Sequence, residues 1–304
     1  VKVTTYVANS EAAGLLAGIE GVRILTSEDG LLPNGCDDAE IYVPEFLAGS
    51  NQVEVLQRLP NLKLVQLLTA GAEVWTPHLP EGVVLCTARG AHGGATAEWA
   101  VGALIAVLQE FAQFARNQMT GRWDQHVTDR VEGKRVLVVG AGDLGEQVRR
   151  RLLPFGADVT MVARTARAGI ESIHNIASLL PHHQAVIVVV PVTPETVGLV
   201  DADFLAAMPD GAVLVNAARG SVVKTDALLL ELTAGRLFAA LDVTDPEPLP
   251  VGHPLWGAPG VFITPHIGGS APGALRRAAK VAEAQIRRYL AGEQLLNVVS
   301  DKGY

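Results

Sequence analysis

A chain of 304 residues, 49% hydrophobic and 18% charged, is long enough for two domains with cores of their own and too apolar for a disordered segment. Its formal net charge of -8 argues against a nucleic-acid partner, which calls for a basic surface. The two cysteines, Cys36 and Cys86, show neither CxxC nor metal-ligand spacing, and no apolar run reaches the ~20 residues of a membrane span, so a reduced, cytoplasmic protein with no membrane association is expected.

In chain order, five short apolar runs come first: KVTTYVA, VRIL, EIYVP, KLVQLL and VVLC. With helical patterns between them they predict a small α/β domain. The stretch ATAEWAVGALIAVLQEFAQFARNQ reads as one apolar helix, either a core helix joining two domains or, over Thr96–Phe114, a subunit interface. Then RVLVVG, DVTMVA, AVIVVVP, AVLVNAA, FAALDV and VFITPH follow, with helices such as Leu144–Leu153 and Thr225–Ala234 among them. Near-continuous Val/Ile runs suit strands covered on both faces, so six strands in βα alternation predict a doubly wound parallel sheet. Near the end, Leu275, Ala278, Val281, Ala282, Ile286 and Leu290 recur at helical spacing, which predicts a terminal helix returning to the first domain. The expected boundaries are 1–94 with 272–304 for the smaller domain and 95–271 for the larger. His182 and His183 are expected at the surface, and Arg149–Arg151 on a solvated helix face. His92, His126, His174 and His253 lack metal-ligand spacing, so no metal is expected.

The most informative turn is GAGDLG, directly after the first strand of the larger domain. Gly140 allows the tight turn, Gly142 lets backbone approach a pyrophosphate, and Gly145 lets helix and strand pack closely; Asp143 and Leu144 complete the loop. The helix start then offers unpaired amides and a partial positive charge to phosphates. At the end of the next strand, where an acid ordinarily grips the ribose hydroxyls, stands Ala163, followed by Arg164, Thr165 and Arg167. Loss of the acid removes repulsion of a 2′-phosphate, and an arginine fork supplies attraction, so NADPH is expected over NADH.

Three further strand ends carry polar groups. VNAARG ends on Arg219, LDVTDPEPLP presents Asp242 and Glu247, and ITPHIGG presents His266. An imidazolium suits protonation of an alkoxide that forms as a hydride reaches a carbonyl, a neighbouring carboxylate raises its proton affinity, and an arginine holds a substrate carboxylate.

GAGDLG, PVTPET, VNAARG, LDVTDPEPLP with HPLW, and TPHIGG, in this order, resemble the D-isomer-specific 2-hydroxyacid dehydrogenase family over nearly the whole chain. The resemblance implies a Rossmann-type cofactor domain beside a smaller flavodoxin-like α/β substrate domain, and a homodimer. It also implies that Arg219 binds substrate, that Glu247 pairs with His266, and that His266 is the general acid/base. It places Val190, Pro191 and Thr196 beside the adenine ribose, Asp242 at the nicotinamide carboxamide, and Ala217, Ala218, His266 and Gly268 along the cofactor. Backbone amides of Ala70 and Gly71 are implied to hold the substrate carboxylate, with Leu68 and Thr69 at positions that differ between substrate classes. Arg89 and His92 lie in a segment resembling the family's entry to its inter-domain helix, with a structural role weighed above a cleft-facing one. The chain's end near residue 304 implies no C-terminal regulatory extension of the kind found in many phosphoglycerate dehydrogenases. The leading expectation is an NADPH-dependent reductase of a small 2-oxo acid such as glyoxylate or hydroxypyruvate. The alternatives are an NAD(H)-dependent phosphoglycerate-type dehydrogenase and a dinucleotide-sensing corepressor-like binding protein. Formate oxidation is disfavoured by Glu247, where glutamine is the general residue.

Overall fold

The computed structural model describes residues 2–27, 31–46 and 50–299. The chain opens with β1 (Val3–Val7), α1 (Ser10–Leu16), β2 (Val22–Leu25), β3 (Ala39–Val43), β4 (Leu64–Gln66) and β5 (Val84–Cys86). It continues with α2 (Gly93–Leu108), α3 (Phe111–Met119), β6 (Arg135–Val139), α4 (Asp143–Leu152), β7 (Asp158–Ala163), β8 (Ile170–Ser172), α5 (Ile176–Leu179) and β9 (Ala185–Val188). The last elements are α6 (Ala202–Ala207), β10 (Val213–Asn216), α7 (Thr225–Thr233), β11 (Phe238–Leu241), β12 (Val261–Ile263) and α8 (Ala274–Leu290). Two compact units result, one of residues 1–92 with 271–304 and the other of residues 93–270.

The first unit is built on a five-stranded parallel sheet in the order β2-β1-β3-β4-β5. Its strands alternate between two cores. Val7, Ile41, Val43 and Leu64 face α1 and α8, while Tyr6, Tyr42, Val65 and Leu85 face the opposite side with Trp75. The terminal helix α8 packs within this unit through Ala278, Ala282 and Ile286, with Leu275, Val281 and Leu290 at the margin of the same core. All six positions of the apolar repeat are thus used.

The second unit holds a seven-stranded parallel sheet, β12-β11-β10-β9-β6-β7-β8. Successive side chains on each strand point to opposite faces, so the unbroken apolar runs divide into two cores. Leu137, Val139, Val186, Val188, Leu214 and Leu241 lie on one face, and Val136, Val138, Ile187, Val213 and Val215 on the other. The short β8 is a seventh strand where the sequence pattern predicted six. Its three residues follow a tight turn with Gly169 at φ 72°, too brief to leave an apolar run in the sequence.

Two other expectations are corrected. The apolar stretch read as one helix is two. Glu110 takes a left-handed conformation (φ 52°, ψ 34°), and α2 and α3 meet at a bend of 62°. Helix α2 spends its apolar residues on the core of its own unit, burying Ala97, Ala100, Val101, Leu104 and Leu108. The exposed apolar side chains come afterwards, at Phe111, Met119, Trp123 and Val127. Among the described residues, no single helix is long and apolar enough to cross a membrane. His183, expected at the surface, is buried at 4% exposure. Its Nδ1 donates to the Leu179 carbonyl at 2.7 Å and its Nε2 accepts from Thr160 Oγ1 at 3.0 Å. Burial pushes its pKa down, so it is a neutral core residue. His182 is exposed, as the sequence implied.

Candidate active site

The larger sheet reverses its direction of growth at β6. From there the chain adds β7 and β8 on one side, then crosses to β9 and continues through β10, β11 and β12 on the other. The carboxyl ends of β6 and β9 therefore border the crevice in which open α/β sheets take ligands.

The glycine turn lies at that crevice, and its three glycines answer to three different constraints. Gly140 has φ 122°, and a Cβ there would stand 2.8 Å from the Val189 carbonyl oxygen, so the turn is pressed against the end of β9. A Cβ on Gly145 would overlap the Gly140 carbonyl oxygen, so only glycine lets α4 pack this close to the turn. Gly142 differs: a Cβ would meet no protein atom within 4 Å, and its extended backbone suits any residue. What it leaves open is space above the backbone. No side chain caps α4, whose amides and positive dipole end face that space with exposed Asp143 in the first turn and half-buried Leu144 after it. A pyrophosphate fits this cradle. Along α4, Glu146 pairs with Arg149 and Arg150, and Arg151 pairs with Glu98, so these arginines serve the helix surface.

Beyond β7, half-buried Ala163 ends the strand, and Arg164, Thr165 and Arg167 are exposed. The Arg167 guanidinium reaches back over the glycine turn, donating from Nη2 to the Ala141 carbonyl at 2.8 Å. Arg164 is within electrostatic reach of Glu195 on the loop after β9. The Thr193 hydroxyl, the local backbone and Arg164 together hold the Glu195 carboxyl below its usual range. In that same loop the Thr196 hydroxyl donates to the Pro191 carbonyl at 2.7 Å and accepts from the Thr193 amide at 2.8 Å. Thr196 thus shapes the segment that begins with half-buried Val190 and Pro191.

The candidate catalytic residues come from the next three strand ends. At the end of β10, buried Asn216 accepts from the Ala218 amide at 3.1 Å and donates to the Arg219 carbonyl at 3.0 Å, closing a turn through buried Ala217 and Ala218. Arg219 is half-buried, and its Nη1 donates to the Ala218 carbonyl at 2.7 Å. Gly220 follows because a Cβ there would overlap the Thr244 carbonyl oxygen. Past β11 the chain carries Glu247, with both Asp245–Pro246 and Glu247–Pro248 peptides cis. Past β12 it carries His266, whose Nδ1 donates to Glu247 Oε1 at 2.6 Å. Burial alone pushes the Glu247 carboxyl up, but the His266 hydrogen bond and charge, the Thr244 backbone and Arg219 outweigh it and hold the group below the usual range. Asp242 is buried and accepts from Thr264 Oγ1 and the Ile267 and Gly268 amides. Arg219, Glu247 and His266 thus belong to one edge of one sheet, as read from the sequence. Buried Asn216 and half-buried Thr264 are further functional candidates whose signal in VNAARG and ITPHIGG is a polar residue at the end of an apolar run.

In the first unit, Ala70 and Gly71 are half-buried in the irregular segment after β4, where Thr69 Oγ1 donates to the Gly71 carbonyl at 3.2 Å. His92 donates from Nε2 to the Leu68 carbonyl at 2.9 Å and packs against Phe46, and burial pushes its pKa down. The Arg89 side chain is exposed, and its carbonyl accepts from Asn297. Among the described residues, no group of three or more His, Cys, Asp or Glu is placed to hold a metal ion.

Residues 101–268 match the family model for the NAD binding domain of D-isomer specific 2-hydroxyacid dehydrogenases. The chain belongs to this family. It is 31% identical over 263 residues to a glyoxylate reductase of Thermofilum pendens, covering 82% of this chain and 78% of that one. It is 34% identical over 261 residues to a D-3-phosphoglycerate dehydrogenase of Mycobacterium tuberculosis, covering 82% of this chain but 49% of the relative, so it spans about half of that protein's length. A crystal structure of a D-isomer specific 2-hydroxyacid dehydrogenase from Xanthobacter autotrophicus Py2, in complex with NADPH and MES, has a TM-score of 0.85 at 31% identity over 99% of both chains. As a member of the family, this dehydrogenase is an oxidoreductase that uses a nicotinamide dinucleotide and acts on small 2-oxo or 2-hydroxy acids.

The two kinds of glycine constraint separate in experiment. Gly142→Ala is expected to leave the urea unfolding midpoint unchanged while weakening dinucleotide binding about tenfold or more, because the added methyl occupies ligand space alone. Gly145→Ala is expected to lower both stability and affinity, because helix and turn must separate. Fluorescence titration with denaturation checks both; unchanged affinity in Gly142→Ala contradicts the placement of the pyrophosphate.

Proposed function

We propose that this dehydrogenase is an NADPH-dependent reductase of a small 2-oxo acid of the glyoxylate or hydroxypyruvate type. The observation that carries the reading is the 2.6 Å contact between His266 Nδ1 and Glu247 Oε1, beside the Arg219 turn on the same sheet edge. The carboxylate holds the ring by Nδ1, which leaves Nε2 to deliver a proton to the substrate carbonyl oxygen. The Arg219 guanidinium pairs with the substrate carboxylate and draws electron density from the adjacent carbonyl. When bound, the nicotinamide supplies the hydride that the carbonyl carbon accepts. Residues Gly140–Gly145 would hold the pyrophosphate, and Val190, Pro191 and Thr196 the neighbourhood of the adenine ribose. Ala163 offers no acid to repel a 2′-phosphate, and exposed Arg164 and Arg167 supply positive charge at the same strand end.

The second reading, an NAD(H)-dependent phosphoglycerate-type dehydrogenase, is favoured by the 34% identity to phosphoglycerate dehydrogenases. A panel of 2-oxo and 2-hydroxy acids, run with each dinucleotide, separates the two. The expected outcome is a higher kcat/KM with NADPH than with NADH on glyoxylate or hydroxypyruvate. A clear NADH preference would overturn the cofactor assignment. In the same assay His266→Asn is expected to lower kcat by about a hundredfold or more while NADPH binding stays within a few-fold of wild type. Survival of turnover in that variant would remove His266 from proton transfer.

A further inference from the structure

His266 is a non-glycine residue in the left-handed region, with φ 54°. Bulky residues avoid that region, so something must hold the backbone there. The holder is Asp242. Three successive amides, those of His266, Ile267 and Gly268, donate to one residue: to the Asp242 carbonyl at 2.8 Å, to Oδ1 at 2.9 Å and to Oδ2 at 2.8 Å. The His266 amide is shared with the Thr264 carbonyl at 3.1 Å, while the consecutive Ile267 and Gly268 amides form a concave anion site that the Asp242 carboxylate fills. A Cβ on Gly268 would stand 2.8 Å from Asp242 Oδ2, so glycine is what lets the last amide come this close.

The carboxylate is itself aimed by a neighbour. Thr264, just past β12, donates from its hydroxyl to Asp242 Oδ1 at 2.6 Å, and its amide donates to the Leu241 carbonyl at 2.9 Å. On the other side, the Asp242 amide donates to the Asn216 carbonyl at 3.1 Å. Asn216, Asp242 and Thr264 therefore form a polar row across the ends of three adjacent strands. None of the contacts in this row involves the imidazole or the Glu247 carboxylate.

We infer that Thr264 is a positioning residue for proton transfer, which orients the Asp242 carboxylate and through it the left-handed turn that carries His266. The inference rests on the reading of His266 as the proton donor. Asp242 belongs to the turn's internal hydrogen bonding, whether or not its remaining lone pairs also meet the cofactor. With the Thr264 hydroxyl removed, Oδ1 keeps the Ile267 amide alone, and the carboxylate can rotate and release the turn. The ring then still forms part of the protein but no longer holds its angle to the substrate, and misplacement of a reacting group is costly.

The test compares Thr264→Val, which keeps the shape and removes the hydroxyl, with Thr264→Ser, which restores it, and with His266→Asn as the reference. Thr264→Val is expected to lower kcat about tenfold or more, with KM for the 2-oxo acid and the Kd for NADPH within about threefold of wild type. Its solvent deuterium isotope effect on kcat is expected to rise as proton delivery becomes limiting. Thr264→Ser is expected to recover most of kcat. Thr264→Ala serves as the hydroxyl-free variant if the valine form does not fold. The inference is overturned if the hydroxyl-free variant keeps wild-type kcat, if serine fails to rescue, or if the isotope effect is unchanged. If His266→Asn is itself fully active, the reading of His266 has failed instead.

Discussion

A parallel sheet delivers the carboxyl ends of all its strands to one edge, and this constraint governs the chemistry of the molecule. Glu247 follows β11 and His266 follows β12, strands that are neighbours in register from Ala239↔Val261 to Leu241↔Ile263. Loops leaving adjacent parallel strands must share space, so the carboxylate and the imidazole meet at 2.6 Å although 19 residues separate them. Arg219 leaves β10, the next strand along, and its charge is felt at Glu247. The proposed reactive set thus occupies three consecutive strand ends, which the polar row of Asn216, Asp242 and Thr264 also links.

The cofactor side depends on the same edge at the point where the sheet changes direction. Gly140 touches the end of β9, Arg167 reaches from the end of β7 to the turn after β6, and Thr196 ties the loop after β9. Three loops therefore border one crevice, and the Arg167 side chain ties two of them together. In the proposed function charge chooses the dinucleotide: an alanine where an acid is customary, with arginines following, favours the phosphorylated cofactor without altering the fold.

Much of this was legible in the sequence because it is local. Val/Ile runs mark buried parallel strands, glycines mark a turn, and the motifs ending in Arg219, Glu247 and His266 sit at strand ends by position alone. What was not legible depends on the third dimension. The break between α2 and α3 rests on one residue, Glu110, in a left-handed conformation that nothing in its neighbours' polarity announces. His183 is buried because Thr160 and the Leu179 carbonyl satisfy both ring nitrogens, and those partners lie 23 and 4 residues away. The part of Asp242 in holding the His266 turn requires knowing that three amides converge on it, which no spacing in LDVTDPEPLP reveals.

The central claim is that the Glu247 carboxylate holds the His266 ring by Nδ1 for proton delivery to a carbonyl. The direct measurement is the pH dependence of kcat/KM for 2-oxo acid reduction in the wild type and in Glu247→Gln. Against the push of burial, the His266 contact, the Thr244 backbone and the Arg219 charge hold the Glu247 carboxyl below its usual range, so the carboxylate that orients the ring persists as pH falls through the ordinary carboxylate range and is lost only below it. The account predicts a wild-type kcat/KM that holds through that range and falls below it, and a Glu247→Gln variant lowered about tenfold or more with no such acid limb. A Glu247→Gln variant with wild-type kcat/KM at every pH would contradict it.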